Sequence, residues 1–200
     1  MRRGVGPLAL AALALALVQC DGGDSEGTGL DCGPRTGIVT RVLDGDTIDL
    51  AVDCDSDNDC PESHCAAGVC GRDTRIRLVG IEAGEVFSRQ DCLGAEARDR
   101  LKMLIENQRV DLRYDPIAGC TGDRDRLLAY VLFEGETVQA VLLREGYVCL
   151  DWHRHEAQRT ETPFYESLDA AQSDAQSNNR GIWTQPIQDI CMGLPLHDGC

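Results

Sequence analysis

The sequence has few basic residues and no hydrophobic run of membrane-spanning length. It carries 19 Lys and Arg against 34 Asp and Glu, a formal net charge of −15, which is typical of a poor partner for nucleic acid or an anionic membrane. The apolar run at residues 5–18 is too short to span a bilayer comfortably. With 200 residues, 42% hydrophobic and 26% charged, the chain is neither a collagen, nor a multi-span membrane protein, nor mainly a disordered tail. We expect one globular domain, alone or with an appendage.

The N-terminus has the pattern of an export signal. Two arginines precede the apolar run, which ends at Cys20 ahead of a polar, Gly-rich segment. A cysteine at this place resembles the lipobox of bacterial lipoproteins, so we expect residues 1–19 to be a signal peptide, Cys20 the lipidated N-terminus and residues 20–36 a flexible linker. Gln19 stands where Gly, Ala or Ser is usual, and cleavage behind Ala16 would instead give a free secreted protein. Both alternatives predict export. In the first, the lipid would be the membrane contact of an envelope protein.

The chain has 11 cysteines, too many for a reducing compartment. Setting Cys20 aside leaves an even set that is compatible with five disulfides in an oxidising space. The ten are Cys32, Cys54, Cys60, Cys65, Cys70, Cys92, Cys120, Cys149, Cys191 and Cys200.

Hydrophobic periodicity predicts the order β-β-β-α-β-β-α-α. The first two strands are joined at Asp44-Gly45, a hairpin turn signal. Thr162 and Pro163 are expected to be the N-cap and first residue of the last helix. Five strands with a helix after the third predict an α+β, mainly β fold, a five-stranded OB-fold barrel. Strand patterns occupy residues 38–43, 47–52, 75–81, 110–114 and 127–133, and helical patterns residues 94–108, 138–145 and 163–180.

A cysteine-rich insertion, residues 53–73, separates the second and third strands. Its four cysteines predict a small two-disulfide knot, for which we favour Cys54–Cys65 and Cys60–Cys70, although spacing leaves the connectivity open. Its alternating aspartates, at positions 53 to 59, invite a calcium-loop interpretation. That loop would need a glycine and a glutamate where the chain has Asn58 and His64. We therefore favour solvated surface charges, and a thiolate zinc site is less compatible with an oxidising compartment.

Three short segments carry candidate chemistry: residues 42–47, 77–85 and 126–131. They supply carboxylates at a hairpin and at a strand end, together with arginines on two further strands. Oxygen ligands such as those of Asp46 and Glu82 suit Ca²⁺. A dication beside two guanidinium groups could bind a phosphodiester and stabilise added charge on its oxygens.

Taken together, these segments resemble the staphylococcal nuclease (thermonuclease) family over roughly residues 37–183, with residues 184–200 left as a C-terminal disulfide tail. The resemblance implies a monomeric, calcium-dependent endonuclease that cuts DNA and RNA to 5′-hydroxyl and 3′-phosphate ends. It also implies a role for each matching residue. Asp46, Glu82 and the Ala83 carbonyl would be calcium ligands, Glu85 the general base, Arg77 and Arg126 the phosphate-binding pair, and Trp152 a stacking surface for a base.

The sequence departs from the family pattern in the same segments. Glu82 stands where the family usually has Asp, and Gly84 where it usually has Pro. The approach to the second arginine also differs, and we choose Arg126 over Arg124 because Leu128-Ala129-Tyr130 sets the register. These departures favour an alternative function, a catalytically weakened OB-fold module that binds single strands or a partner protein.

The resemblance also suggests disulfide pairings. Cys92 and Cys120 lie in the two loops that flank the site in this family, so we expect them to be bonded. We expect Cys191–Cys200 as a C-terminal loop and Cys32–Cys149 as the remaining pair. A transition-metal site at His153 and His155 is disfavoured, because two such histidines in an ordinary loop are more often solvated.

Overall fold

The computed structural model describes residues 32–53, 65–66, 69–84, 86, 93–122, 126–151 and 160–184. Strands form where β-branched and leucine residues alternate with polar ones, and helices where apolar residues recur every three or four positions. The elements in chain order are β1 (Thr36–Asp44), β2 (Thr47–Asp53), β3 (Cys65–Ala66), β4 (Val69–Leu78), β5 (Ile81–Glu82), α1 (Gly94–Ile105), β6 (Arg109–Arg113), β7 (Leu127–Phe133), β8 (Glu136–Thr137), α2 (Val138–Glu145), β9 (Cys149–Leu150), α3 (Tyr165–Ser177) and a 3₁₀ turn (Gly181–Trp183).

Five of these strands close into a barrel. β1 pairs antiparallel with β2 and β6, β2 pairs antiparallel with β4, and β6 pairs antiparallel with β7. A parallel pairing of β4 with β7, in which Arg77 lies opposite Leu128, completes the ring. This arrangement, with α1 following the third barrel strand, confirms the predicted OB-fold.

The helices cover the barrel as their apolar spacing predicts. α1 buries Ala97, Leu101 and Ile105, which are spaced four residues apart and so lie on one face. α3 begins at Tyr165 and not at Pro163 as expected, because Phe164 adopts a left-handed conformation (φ 64°) just before the helix. None of the helices in the described part of the chain is long and apolar enough to cross a membrane.

The third barrel strand differs from its prediction at both ends. β4 begins at Val69 and forms a short hairpin with β3, in which Cys65 lies opposite Cys70. Cys70 is disulfide-bonded, but the expected pairings of the insertion also involve residues 54–64, which lie outside the described residues. The strand ends at Leu78, because Gly80 turns the backbone with a positive φ of 80°. The chain then forms β5, which pairs with β9.

Two of the expected disulfides are wrong. Cys32 bonds to Cys120, with a Cα–Cα distance of 5.0 Å, so neither Cys92–Cys120 nor Cys32–Cys149 forms. The reason is the path of the chain before β1, where Pro34 and Arg35 run beside β6 and bring Cys32 to the loop that follows it. Cys149 is also disulfide-bonded.

The remaining disulfide predictions lie outside the described residues. They concern Cys54, Cys60, Cys92, Cys191 and Cys200. The signal peptide, the proposed lipid site Cys20 and the C-terminal tail beyond Thr184 lie outside them as well.

Candidate active site

The β1–β2 turn holds the first acidic side chains of the site. The backbone N–H of Asp46 donates to Asp44 Oδ1 at 3.2 Å, an Asx-type contact that tightens the turn. A Cβ on Gly45 would lie 2.6 Å from the Ala83 Cβ and 2.7 Å from the Ala97 Cβ. Glycine therefore lets the turn pack directly against α1 and against the segment after β5.

Arg77 joins two of the predicted carboxylates. It lies opposite Thr47 in the β2–β4 ladder, next to the turn. Its Nη1 forms an ion pair with Asp46 Oδ2, and its Nη2 forms an ion pair with Glu82 Oε2. The three side chains are only 13%, 8% and 23% exposed, in the order Arg77, Asp46, Glu82. The guanidinium and the two carboxylates are thus in contact with one another and largely shielded from solvent.

The end of β5 brings Glu82 and Ala83 to the turn. The Ala83 N–H donates to Asp46 Oδ2 at 2.9 Å, and the Ile81 carbonyl accepts from Arg77 Nη2 at 3.0 Å. β5 is itself held by β9, in which Cys149 lies opposite Glu82. The β5–β9 pair therefore fixes the segment that carries two of the three predicted metal ligands.

Arg126 reaches the same cluster from the start of β7. Its Nη1 donates to the Thr47 hydroxyl at 3.4 Å, and that hydroxyl donates to Asp46 Oδ1 at 2.9 Å. Both predicted arginines therefore approach Asp46, Arg77 directly and Arg126 through Thr47. The competing candidate, Arg124, lies outside the described residues.

Burial and charge act in opposite directions on the site's ionisable groups. Burial lowers the pKa of the Arg77 guanidinium below its ordinary value, while the charges of Glu82, Asp44 and Asp151 oppose the shift and that of Arg126 adds to it. The group remains charged, because a guanidinium cannot be deprotonated in proteins. Burial also raises the pKa of the Asp44 carboxyl, against the Thr47 hydrogen bond and the two arginine charges.

The donor set fits a hard cation. Two carboxylates converge on one guanidinium, which shows that this position favours positive charge, and the Ala83 carbonyl belongs to the same segment. Carboxylate and carbonyl oxygens are the ligands that Ca²⁺ takes. Within the described part of the chain, no group of three or more His, Cys, Asp or Glu side chains is placed to hold a metal ion. Glu85 and Trp152 lie outside the described residues.

Three residues contribute to the site beyond those predicted. Thr47 connects Arg126 to Asp46, Asp44 supports the turn, and Asp151 contributes negative charge near Arg77. Thr47 and Asp44 flank the predicted ligand Asp46 in sequence, which is the signal that points to them. Asp151 follows β9, and its proximity to Arg77 depends on the β5–β9 pairing, which no sequence pattern indicated.

Comparisons with known proteins agree with this geometry. The sequence profile of the family described as staphylococcal nuclease homologue matches residues 75–185, more than half of the chain. The chain is 28% identical to a thermonuclease of Staphylococcus hyicus over 186 residues, 88% of this chain and 94% of that protein.

Two relatives come from Bacillus subtilis strain 168. Endonuclease YncB is 25% identical over 154 residues, and the SPbeta prophage-derived endonuclease YokF is 26% identical over 154 residues. Each alignment covers 74% of this chain but only 61% and 43% of the relatives, so the chain spans less than two thirds of their length. Family profile, barrel topology and the arginine–carboxylate cluster lead to one conclusion: this chain belongs to the staphylococcal nuclease family and is a nuclease of that family.

Proposed function

We propose that the chain is an exported, calcium-dependent endonuclease that hydrolyses phosphodiester bonds of DNA and RNA to 5′-hydroxyl and 3′-phosphate ends. The observation that carries this proposal is the sharing of Arg77 between Asp46 and Glu82, with Arg126 reaching the same cluster through Thr47. Two guanidinium groups beside two carboxylates match a reaction in which a cation and a phosphate must be bound side by side.

The proposed calcium ligands are the Asp46 and Glu82 carboxylates and the Ala83 carbonyl. Bound Ca²⁺ would supply positive charge that polarises the phosphoryl group. Both carboxylates pair with Arg77 in the structure, through different guanidinium nitrogens, so calcium binding requires Arg77 to release them and frees its donors for the phosphate. Glu82 is a longer side chain than the family's usual aspartate, and the flexible coordination shell of calcium tolerates such a difference.

In this proposal Arg77 and Arg126 bind the phosphate and Glu85 handles the water. Each guanidinium presents several N–H donors to the phosphoryl oxygens and stabilises the charge added in the five-coordinate transition state. Glu85 accepts a proton from the attacking water, whose oxygen bonds to phosphorus as the bond to the 5′ oxygen breaks. The departing 5′ oxygen takes a proton from solvent water and becomes the 5′-hydroxyl end. Trp152 would stack on a neighbouring base. We expect the protein to bind its substrate as a monomer.

The domain organisation completes the proposal. Residues 1–19 would be removed as a signal peptide, Cys20 would carry a lipid, and the part of residues 20–36 before Cys32 would tether the nuclease domain to the bacterial envelope. Cys32 and the residues after it are attached to the barrel. The export signal and the disulfide chemistry of the chain support this arrangement, since disulfides persist in oxidising compartments. Release as a free secreted protein is the alternative, and mass spectrometry of the mature N-terminus distinguishes the two.

A second candidate function is an OB-fold module that binds single strands without efficient cleavage. The departures at Glu82 and Gly84 favour it, because they lie in the segment that carries a proposed metal ligand and the proposed base. Gly84 also gives that segment more backbone freedom than proline would. The two functions differ in one measurable property, turnover.

The test compares two arginines on the same strand. Single-stranded DNA is digested with Ca²⁺ or with chelator by the wild type, by Arg77→Ala and by Arg75→Ala. Arg75 is the matched control, since its side chain is 48% exposed and pairs with Asp49, which is not a predicted site residue. We expect Arg77→Ala to lower turnover by about 10²- to 10³-fold, the usual effect of removing one preorganised transition-state donor, and Arg75→Ala to change it little.

Each outcome of this test decides between the two functions. Calcium-dependent cutting that Arg77→Ala abolishes and Arg75→Ala spares supports the proposed nuclease. Undiminished cutting by Arg77→Ala would place the active site elsewhere. Single-strand binding without cutting by the wild type would favour the binding module.

A further inference from the structure

We propose that the Cys32–Cys120 disulfide is a positioning device for Arg126, so that it sets the turnover rate as well as the stability of the protein. The inference rests on the proposed function, in which Arg126 contacts the phosphate. It concerns a covalent bond that lies outside the cluster of Asp46, Glu82 and Arg77, and that acts on the cluster through the backbone.

One end of the disulfide is fixed to the barrel. After Cys32 the chain runs along β6, where the Tyr114 hydroxyl donates to the Pro34 carbonyl at 2.6 Å and the Leu112 N–H donates to the Arg35 carbonyl at 2.8 Å. Thr36 then enters the β1–β6 ladder. Tyr114 and Leu112 are both buried, so these contacts give Cys32 a rigid attachment.

The other end of the disulfide belongs to a short ladder that holds Arg126. The Cys120 carbonyl accepts from the Leu128 N–H at 3.0 Å, and Thr121 forms an antiparallel bridge with Leu127. The Gly122 N–H donates to the carbonyl of Arg126 itself at 2.9 Å. Residues 120–122 therefore hold the backbone of residues 126–128 in place through hydrogen bonds. The disulfide joins residues 120–122 to the barrel.

The side chain of Arg126 depends on this backbone placement. Its hydrogen bond to the Thr47 hydroxyl is long, 3.4 Å, at the outer limit for a useful contact. A small displacement of the Arg126 backbone would thus break it, while the Arg77 ion pairs, which lie on β4, would remain. A misplacement of a catalytic group by about 1 Å can lower the rate by a factor near 100. The attachment of residues 120–122 to the barrel therefore affects turnover through the position of Arg126.

A second attachment exists and defines the competing explanation. The loop before Cys120 is also held at Asp115, whose carbonyl accepts from the Gly119 N–H at 3.0 Å and whose Oδ2 accepts from the buried Tyr130 hydroxyl at 3.0 Å. The β4–β7 pairing, which places Leu127 opposite Ile76, also holds the chain next to Arg126. If this turn and that pairing were sufficient, the disulfide would add stability and leave Arg126 in place. The two explanations differ in whether the effect of the disulfide requires the Arg126 guanidinium.

A double-mutant cycle makes that distinction. The pair Cys32→Ser and Cys120→Ser is introduced into the full chain with Arg126 and with Arg126→Ala. Steady-state cleavage is measured over a range of single-stranded DNA concentrations with Ca²⁺, well below each melting temperature. We expect loss of the disulfide to lower kcat about tenfold or more when Arg126 is present and by less than about twofold when it is absent, the limit for uncoupled sites. KM should change less than kcat.

Two further variants serve as controls, one for loss of stability and one for displacement of residues 120–122. Leu168→Ala, in the buried face of α3, destabilises the fold without touching the ladder and should leave kcat near wild type. Gly122→Val keeps the disulfide but places a side chain against Leu128 Cδ2, which lies 2.9 Å from the Cβ position. It should reproduce the Arg126-dependent loss even if the serine variant does not fold.

The outcomes separate the two levels of the proposal. Equal losses with and without the Arg126 guanidinium for the serine pair would overturn the positioning role of the disulfide. Equal losses for Gly122→Val would overturn the role of the ladder through which the disulfide acts. Either result would leave the nuclease intact. Wild-type turnover by Arg126→Ala alone would overturn the assignment of Arg126 itself, and with it the site proposed above.

Discussion

At the scale of single residues, the site depends on Arg77 and on the short side chains around it. The sequence predicted Asp46, Glu82, Arg77 and Arg126, because the three segments together resemble the staphylococcal nuclease family. The sharing of Arg77 by both carboxylates could not be predicted. It follows from the distance between the β1–β2 turn and β5, which only the closed barrel sets.

Asp44 gives a pH-dependent prediction. Burial raises the pKa of its carboxyl above the ordinary value, so the folded protein binds this proton more tightly than the unfolded chain does. The stability contributed by this group is therefore fully present below the ordinary carboxyl pKa and is lost as the pH rises through the raised one. Asp44→Asn should have a higher free energy of unfolding than the wild type at neutral pH, with an advantage that shrinks as the pH falls.

Urea denaturation of both proteins over a pH series checks this prediction. Asp99→Asn is the control, because the Asp99 side chain lies on α1 and is 61% exposed. It should change the free energy of unfolding little at any pH. An advantage of Asp44→Asn that grows towards acid pH would show that the Asp44 charge is favourable in the folded protein.

At the scale of elements, the barrel could be predicted and the irregular connections could not. Alternation and the Asp-Gly turn indicate β1 and β2, and the spacing of Ala97, Leu101 and Ile105 indicates α1. The two-residue strands β5 and β9 are too short for any periodicity, yet their pairing holds Glu82. The left-handed Phe164, whose ring packs edge-on against Tyr130 at 5.0 Å, likewise moved the start of α3 for a tertiary reason.

Gly45 gives a prediction for the turn that carries Asp46. In Gly45→Ala the new methyl group would press on Ala83 and Ala97, which are buried and belong to different elements. We expect a loss of about 1–3 kcal/mol in the free energy of unfolding, the usual cost of overpacking, together with lower turnover, because Asp46 and Ala83 move apart.

Calorimetry and single-turnover kinetics on the same preparation test both parts. Gly135→Asn is a suitable control, since Gly135 lies in a hairpin with open space around it and asparagine tolerates its positive φ. Full activity in a destabilised Gly45→Ala would show that the turn's close packing is structural only.

At the scale of the whole molecule, a disulfide joins distant parts of the chain and the net charge is strongly negative. The Cys32–Cys120 disulfide links residues that are 88 positions apart in the sequence. Its pairing escaped prediction because even a correct strand order does not show where the segment before β1 runs. Charge can be read from the sequence directly. Removal of residues 1–19 would take away two arginines and no acidic residue, which leaves −17, and residues 53–73 would contribute −5 of it.

This charge predicts an unusual salt dependence. An anionic protein repels a polyanionic substrate, so binding should depend on calcium and on a few local arginines and not on a broad basic surface. Added salt screens the repulsion, and we expect KM for single-stranded DNA to stay level or fall between low and physiological salt at saturating Ca²⁺. A basic protein that contacts many phosphates would lose affinity steeply. A steep rise in KM with salt would therefore contradict this account.

The most direct test of the central claim is calcium-dependent turnover in two matched variants, Asp46→Asn and Asp49→Asn. Both aspartates are buried in the β1–β2 hairpin, but Asp46 pairs with Arg77 in the cluster and Asp49 pairs with Arg75 outside it. Single-turnover cleavage of single-stranded DNA is measured over a Ca²⁺ titration. We predict that Asp46→Asn cleaves about 10²-fold more slowly or worse and requires more Ca²⁺, while Asp49→Asn follows the wild-type curve. Identical calcium curves for Asp46→Asn and the wild type would contradict the account.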